Sequence, residues 1–337
     1  MRPHGLATSV VDAIGNTPLV QLKNILPHVG LPPTTRLFAK LDNLNPGGSK
    51  KDRVAKQIVL DGYESGELVA GQPIVELTSG NTGTGLAIVS AALNHEFIAV
   101  MSAGNSIERA RQMRALGAEV VLVPQAPGNV DGQVSGKDLE LVREVTESLT
   151  QERNCFRADQ FRLKGSWRAH YNSTGPEIWE ATGGDIGTFV DFVGSGGTLI
   201  GCGKYFKEVK KGFKCYAVEP LGNEVLKRGS GGKLGVGKGG HRIQGGGYEM
   251  TFDELELFKD VDVGELVDGF ISISDKEAVD AARLLAKKEG IFGGFSAGAN
   301  LSAAAKVIME GKVEGEEGVA FMVCDNGLKY LSTDLYL

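Results

Sequence analysis

Pro73-Ile74-Val75-Glu76-Leu77 runs without a break into Thr78-Ser79-Gly80-Asn81-Thr82-Gly83, an apolar strand emptying into a loop of small and polar residues. A helix pattern follows over Asn81–Asn94, with Leu86, Ile88, Val89 and Leu93 at its apolar positions. The arrangement returns at Thr188–Val193, a strand that enters Gly194-Ser195-Gly196-Gly197-Thr198 and then a helix over Thr198–Glu208. Outward from these two units the alternation continues. Strands are predicted over Phe97–Met101, Ala118–Val123, Lys214–Val218, Ile291–Phe295 and Val319–Cys324. Helices are predicted over Ser106–Leu116, Gly136–Arg153, Asp275–Glu289 (with Ser274 as N-cap) and Ala297–Met309. Such alternation predicts an α/β protein with doubly wound, mainly parallel sheets and helices on both faces. Ligands of such folds lie at the carboxyl ends of strands, where both glycine loops sit.

At 337 residues, two domains are expected. The expected division is a smaller mobile α/β domain over 44–150 and a larger cofactor-anchoring one over 1–43 and 151–337. A net charge of −6 lacks the basic excess of a nucleic-acid surface, so no nucleic-acid partner is expected. Cysteines stand at 155, 202, 215 and 324, without a CxxC pair or a histidine cluster. They read as reduced, buried thiols, and no metal site is expected. The start, Met1-Arg2-Pro3-His4-Gly5-Leu6, has no apolar signal-peptide core. No apolar run reaches the ~20 residues of a membrane span, so a cytoplasmic protein without a membrane partner is expected. The 48 glycines stand well above the usual ~7% share. One concentration, Gly229–Gly247, reads either as a surface loop or as a lid over a site.

Three segments carry chemistry. In Asn45-Pro46-Gly47-Gly48-Ser49-Lys50-Lys51-Asp52-Arg53, a small-residue turn presents two lysines. A lysine amine can bond covalently to a carbonyl cofactor, and the residues alone do not choose between Lys50 and Lys51. Thr78–Gly83 offers hydroxyls and helix-start N–H groups suited to a carboxylate. Gly194–Thr198 fits a phosphate nest. A dinucleotide fingerprint, with Glu219 as its ribose-binding acid, fails on spacing, because Leu199 stands where the third glycine belongs. Gly294-Phe295-Ser296-Ala297-Gly298 matches the letters of a hydrolase elbow but has no companion triad. One reactive amine and two anion nests fit pyridoxal phosphate bound to an amino acid.

Taken in order, the motifs resemble the cysteine synthase (O-acetylserine sulfhydrylase) and cystathionine β-synthase catalytic-core family, of the tryptophan-synthase-β fold type (pyridoxal-phosphate fold type II). They are Ile14-Gly15-Asn16-Thr17-Pro18-Leu19-Val20, Asn45-Pro46-x-x-Ser49-x-Lys51-Asp52-Arg53, Thr78–Gly83, Arg114–Glu119, Gln160-Phe161, Thr174–Trp179 and Gly194–Thr198. His241–Gly245, Glu289-Gly290-Ile291 and Ser296-Ala297-Gly298 complete the series. The resemblance implies Lys51 as the Schiff-base lysine and catalytic residue. It implies Asn81 facing the cofactor's 3′ oxygen, and Thr78, Ser79, Gly80, Asn81, Thr82 and Gln160 around the substrate carboxylate. Gly194, Ser195, Gly196, Gly197 and Thr198 would hold the phosphate, and Ser296 the pyridine nitrogen, which retires the hydrolase reading. A serine, unlike a carboxylate, leaves that nitrogen unprotonated. This favours prompt loss of a β-substituent over carbanion build-up.

The implied reaction is β-replacement on an activated serine through an aminoacrylate, with O-acetylserine and sulfide giving cysteine and acetate. The implied partners are a small amino acid and a small nucleophile, and the implied assembly is a homodimer. Ser102-Ala103-Gly104-Asn105, Arg162-Leu163-Lys164-Gly165 and Gly246-Gly247-Tyr248 depart from the family's usual sequences. A different leaving group or nucleophile, as in cystathionine or non-protein amino-acid synthesis, therefore stays open. A β-eliminating ammonia-lyase or dehydratase stays open too, though Lys50 before Lys51 and Thr82 after Asn81 argue against it. The chain lacks the haem-binding extension and regulatory domain pair of the animal cystathionine synthases, so control of that kind is not expected.

Overall fold

The computed structural model describes residues 6–128, 134, 136–229, 241–247, 251, 255–313, 315 and 317–337. Its strands are β1 (Leu19–Leu22), β2 (Leu37–Lys40), β3 (Ile74–Leu77), β4 (Phe97–Ser102) and β5 (Glu119–Val123). They continue with β6 (Phe156–Arg157), β7 (Ile186–Phe192), β8 (Lys214–Pro220), β9 (Gly269–Ile273) and β10 (Gly318–Met322). Its helices are α1 (Lys51–Ser65), α2 (Asn81–Ala92), α3 (Ile107–Ala115), α4 (Gly136–Glu152), α5 (Gly165–Ala169) and α6 (Gly175–Thr182). Then come α7 (Gly197–Val209), α8 (Val225–Gly229), α9 (Val263–Leu266), α10 (Asp275–Glu289) and α11 (Phe295–Met309). The described residues divide into two compact units, one of 15–50 and 167–337, the other of 6–14 and 51–166.

The smaller unit is built on a four-stranded sheet in the order β5-β4-β3-β6, with all its pairs parallel. Every residue of β4 is buried, as a strand covered on both faces by helices must be. β3 is followed by β4 on one side, while the chain returns much later to add β6 on the other. The order therefore reverses between β3 and β6, and the loops leaving those two strands meet at that switch point.

The larger unit carries a six-stranded sheet in the order β1-β2-β10-β7-β8-β9. Only the β1–β2 pair is antiparallel. Here the reversal falls between β7 and β10, and β7 is buried along its whole length. Packed on this sheet, α11 is rich in alanine, and no space separates it from α10 at Gly298. A methyl group there would stand 1.9 Å from the Ala278 carbonyl oxygen.

The predicted strand over Ile291–Phe295 is not formed. Among the described residues that segment makes a single bridge, Gly293 to Asn326, and Phe295 already belongs to α11. Gly294 sets this early start: it is the helix N-cap, pressed so close to Asp325 that a Cβ would lie 2.2 Å from its carboxylate oxygen. The lid reading of Gly229–Gly247 falls mostly on residues outside the described set.

Candidate active site

In the smaller unit, the loop after β3 is fixed from both ends. Gly83, in the first turn of α2, donates its N–H to Thr78 Oγ1 at 2.9 Å, and the N-cap, Gly80, has no side chain to offer. The start of a helix is a favourable place for an anion. Thr82 Oγ1 donates to Gln160 Oε1 at 2.8 Å, both side chains being buried. The switch point therefore joins residues 78 apart in sequence into one polar patch. Lys51 opens α1, and Gly85 of α2 lies against its backbone, with a Cβ position 3.0 Å from the Lys51 carbonyl oxygen.

Sequence reasoning passed over Glu76. It is buried in β3, pairs with Arg157 Nε at 3.2 Å and accepts the Gln160 backbone N–H. Burial is the main cause that raises its pKa from the ordinary 4.5 to about 8, against the pull of Arg157. Glu76 thus ties the end of β6 and Gln160 to the strand that delivers the loop. Its signal was a carboxylate inside the apolar run Pro73–Leu77.

In the larger unit, Gly194–Thr198 links β7 to α7. Gly196 adopts φ +89, and a Cβ there would lie 2.1 Å from the Phe258 ring. At Gly194 it would lie 2.4 Å from the Gly245 carbonyl oxygen. Only glycine lets this loop close on its neighbours. Ser195 and Thr198 are buried there, and no side chain caps α7. The Thr198 hydroxyl stands 3.2 Å from His170 Nε2, and His170 Nδ1 stands 2.9 Å from Thr174 Oγ1. His170 carries no HxxH or HExxH pattern in the sequence, and its role here is to tether Thr198 to Thr174. Ser296 is buried in the first turn of α11. Glu219, the acid of the rejected dinucleotide reading, accepts the N–H groups of Leu226 and Lys227. It is consumed in starting α8.

Of the two adjacent lysines, Lys50 has a defined partner. Lys50 Nζ lies 2.9 Å from both carboxylate oxygens of Asp191, near the carboxyl end of β7. Burial works against the ammonium's charge, but Asp191 overrides it and holds the lysine above its usual pKa. Lys50 is therefore committed to a charged, buried pair and is a poor nucleophile.

These parts fit pyridoxal phosphate. A glycine-built anion cradle at a helix start suits its phosphate. A buried neutral hydroxyl in α11 suits its ring nitrogen, and the helix start after β3 suits a substrate carboxylate. The chain belongs to the pyridoxal-phosphate dependent enzyme family, which matches residues 10–325. It is similar to a cysteine synthase of Buchnera aphidicola, with 36% identity over 96% of this chain and 94% of that one. It is also similar to O-ureido-L-serine synthase of Streptomyces lavendulae, with 34% identity over 98% of this chain and 93% of that one. Among solved structures, O-acetylserine sulfhydrylase isoform 3 of Entamoeba histolytica superposes with a TM-score of 0.86. That match has 35% identity and covers 100% of this chain and 93% of that one. The fold is that of pyridoxal-phosphate enzymes of fold type II.

Proposed function

We propose that this enzyme replaces the β-substituent of an activated serine, taking O-acetylserine and sulfide to cysteine and acetate. The observation that carries the reading is the commitment of Lys50 to Asp191. With Lys50 locked to Asp191, Lys51 is left for the covalent role in Ser49-x-Lys51-Asp52-Arg53, as the family resemblance implies.

When bound, pyridoxal phosphate supplies the electron sink that acidifies the substrate's Cα–H and lets the β-substituent leave. Gly194–Thr198 grips the phosphate through loop and helix-start N–H groups, with the buried hydroxyls of Ser195 and Thr198 beside them. Ser296 would offer its hydroxyl to the ring nitrogen and would supply no charge to protonate it. Asn81 would hold the 3′ oxygen. Thr78, Ser79, Gly80, Asn81 and Thr82, with Gln160, receive the substrate carboxylate. The Thr82–Gln160 hydrogen bond holds both side chains in place before substrate arrives. Lys51, once freed by the substrate, takes the Cα proton and returns it after the nucleophile has added at Cβ.

A different leaving group is the second reading, favoured by the departures at 102–105 and 162–165 and by the similarity to O-ureido-L-serine synthase. The free, buried state of Cys155, Cys202, Cys215 and Cys324 supports work in a reducing compartment such as the cytoplasm. No helix among the described residues is long and apolar enough to cross a membrane.

The test is a visible absorbance spectrum of the purified holoprotein, first with O-acetylserine and then with sulfide. The expected result is a yellow protein whose band shifts with the first reagent and returns with the second, as cysteine appears. Lys51→Ala should form no cysteine. A yellow wild type indifferent to O-acetylserine but shifted by another β-substituted serine would replace the first reading with the second.

A further inference from the structure

Asp191 sits three residues before the Gly194–Thr198 loop, and it gathers more than Lys50. Its Oδ1 also receives Asn300 Nδ2 at 3.3 Å and the Cys324 thiol at 3.8 Å. Asn300 Nδ2 reaches the Met322 carbonyl at 2.9 Å and Cys324 Sγ at 3.5 Å. The Cys324 thiol in turn hydrogen-bonds the Ser296 hydroxyl. Asn300 follows Ser296 by four positions in α11 and shares its face of the helix. The backbone joins the same group, with Lys50 N–H donating to the Cys324 carbonyl at 2.8 Å. Asp191, Asn300, Cys324 and Ser296 are all buried, and the reaction as described calls on only one of them.

We propose that Lys50 and Asp191, acting through Cys324 and Asn300, are positioning residues that orient the Ser296 hydroxyl as a donor toward the cofactor's ring nitrogen. The proposal rests on the assignment of Ser296 made above.

The direction of the hydrogen bonds follows from proton counting. A thiol has one proton, and an ionised carboxylate is a stronger acceptor than a hydroxyl. Asp191, held on both oxygens by Lys50, offers Oδ1 to the Cys324 thiol at 3.8 Å, and the Met322 carbonyl is a second acceptor at the same distance. Burial, with Asp191 adding to it, raises that thiol to about 12, so it stays protonated across the working range. The sulfur then meets Ser296 with lone pairs alone, and the serine must donate in that contact. Sulfur is a weak acceptor, so Ser296 gives up this bond readily for a ring nitrogen that needs a donor. Without Lys50, nothing fixes the Asp191 carboxylate toward Cys324. The thiol proton can then turn to the serine oxygen, reversing the bond Ser296 has to give.

The test is a double-mutant cycle read by cofactor binding, without turnover. Apoprotein is titrated with pyridoxal phosphate by fluorescence, and the absorbance maximum of the complex is recorded. Lys50→Met combined with Asp191→Leu removes the pair together, a replacement that folded proteins commonly tolerate. Cys324→Ala breaks the link without touching the pair, and it carries the same comparison if the combined variant does not fold. Each change is made with Ser296 present and with Ser296→Ala.

The expected result is a shifted absorbance maximum and binding weakened about 3- to 10-fold, what one ordinary hydrogen bond is worth. Both effects should appear only where Ser296 is present. Equal losses in both backgrounds, or none in either, would overturn the proposal. A wild type that binds the cofactor while Ser296→Ala alone changes neither affinity nor spectrum would overturn it and leave the family reaction standing. A wild type that takes up no pyridoxal phosphate would instead sink the functional reading itself.

Discussion

At the scale of single residues, Lys50 and Lys51 look alike in sequence, and the structure commits Lys50 to Asp191. Composition and spacing could not separate them, because the partner that decides, Asp191, lies 141 positions away. Removing Lys50 alone strands a buried carboxylate, a loss that typically costs about 3–5 kcal/mol. In the apoprotein, Lys50→Met should therefore lower the urea midpoint more than Lys51→Ala does, while Lys51→Ala ends turnover of the holoprotein. Equal midpoints for the two variants would contradict the pairing. Glu76 makes a separate prediction from its raised pKa, about 8 against the ordinary 4.5. Between those values the folded chain binds a proton that the unfolded chain has lost, so stability falls as pH rises through the window. The wild type should thus lose stability relative to Glu76→Gln between pH 5 and 8, as followed by urea melts at both ends. A difference that does not change with pH would show that Glu76 is ionised throughout.

At the scale of elements, the sequence showed most where periodicity and small-residue loops coincide. Both glycine loops, the strands that feed them and helices α2, α7, α10 and α11 were legible, because an apolar strand followed by glycine and an amphipathic run has few other readings. β1, β2, β6 and β9 were not predicted. β6 is two residues long, and β1 gains its structure from its antiparallel partner rather than from a pattern of its own. In the candidate site, the loops were legible and the tethers Glu76, Asp191 and His170 were not. A tether is defined by a contact across the fold, which no local pattern encodes. Gly298 illustrates the same limit. Its letter suggested a motif, and the structure shows it as the point where α11 meets the backbone of α10. Gly298→Ala forces a methyl group to within 1.9 Å of the Ala278 carbonyl oxygen, so the helices must part. The expected loss is about 1–3 kcal/mol, the usual cost of overpacking, seen as a lower thermal midpoint. An unchanged midpoint would mean that α10 and α11 are not packed as described.

At the scale of the whole molecule, a ligand that binds only the folded chain raises its stability by mass action. At 100 times its dissociation constant the gain is about 2.7 kcal/mol, and each kcal/mol moves the midpoint of a domain of this size by about 2–4 °C. Pyridoxal phosphate should therefore raise the thermal midpoint of the apoprotein by about 5–10 °C. Removing the covalent link leaves the phosphate and ring contacts intact, so Lys51→Ala should keep part of that rise and lose the rest. Obstructing the cradle has the opposite signature. Gly194→Val directs its Cβ at the Gly245 carbonyl oxygen, 2.4 Å away, so the loop must open. That variant should show little cofactor-linked rise even with Lys51 in place. Calorimetry of the two variants beside the wild type, with and without cofactor, makes the comparison. If Lys51→Ala lost the entire rise and Gly194→Val lost none, the phosphate would be held elsewhere and the cradle assignment would fall.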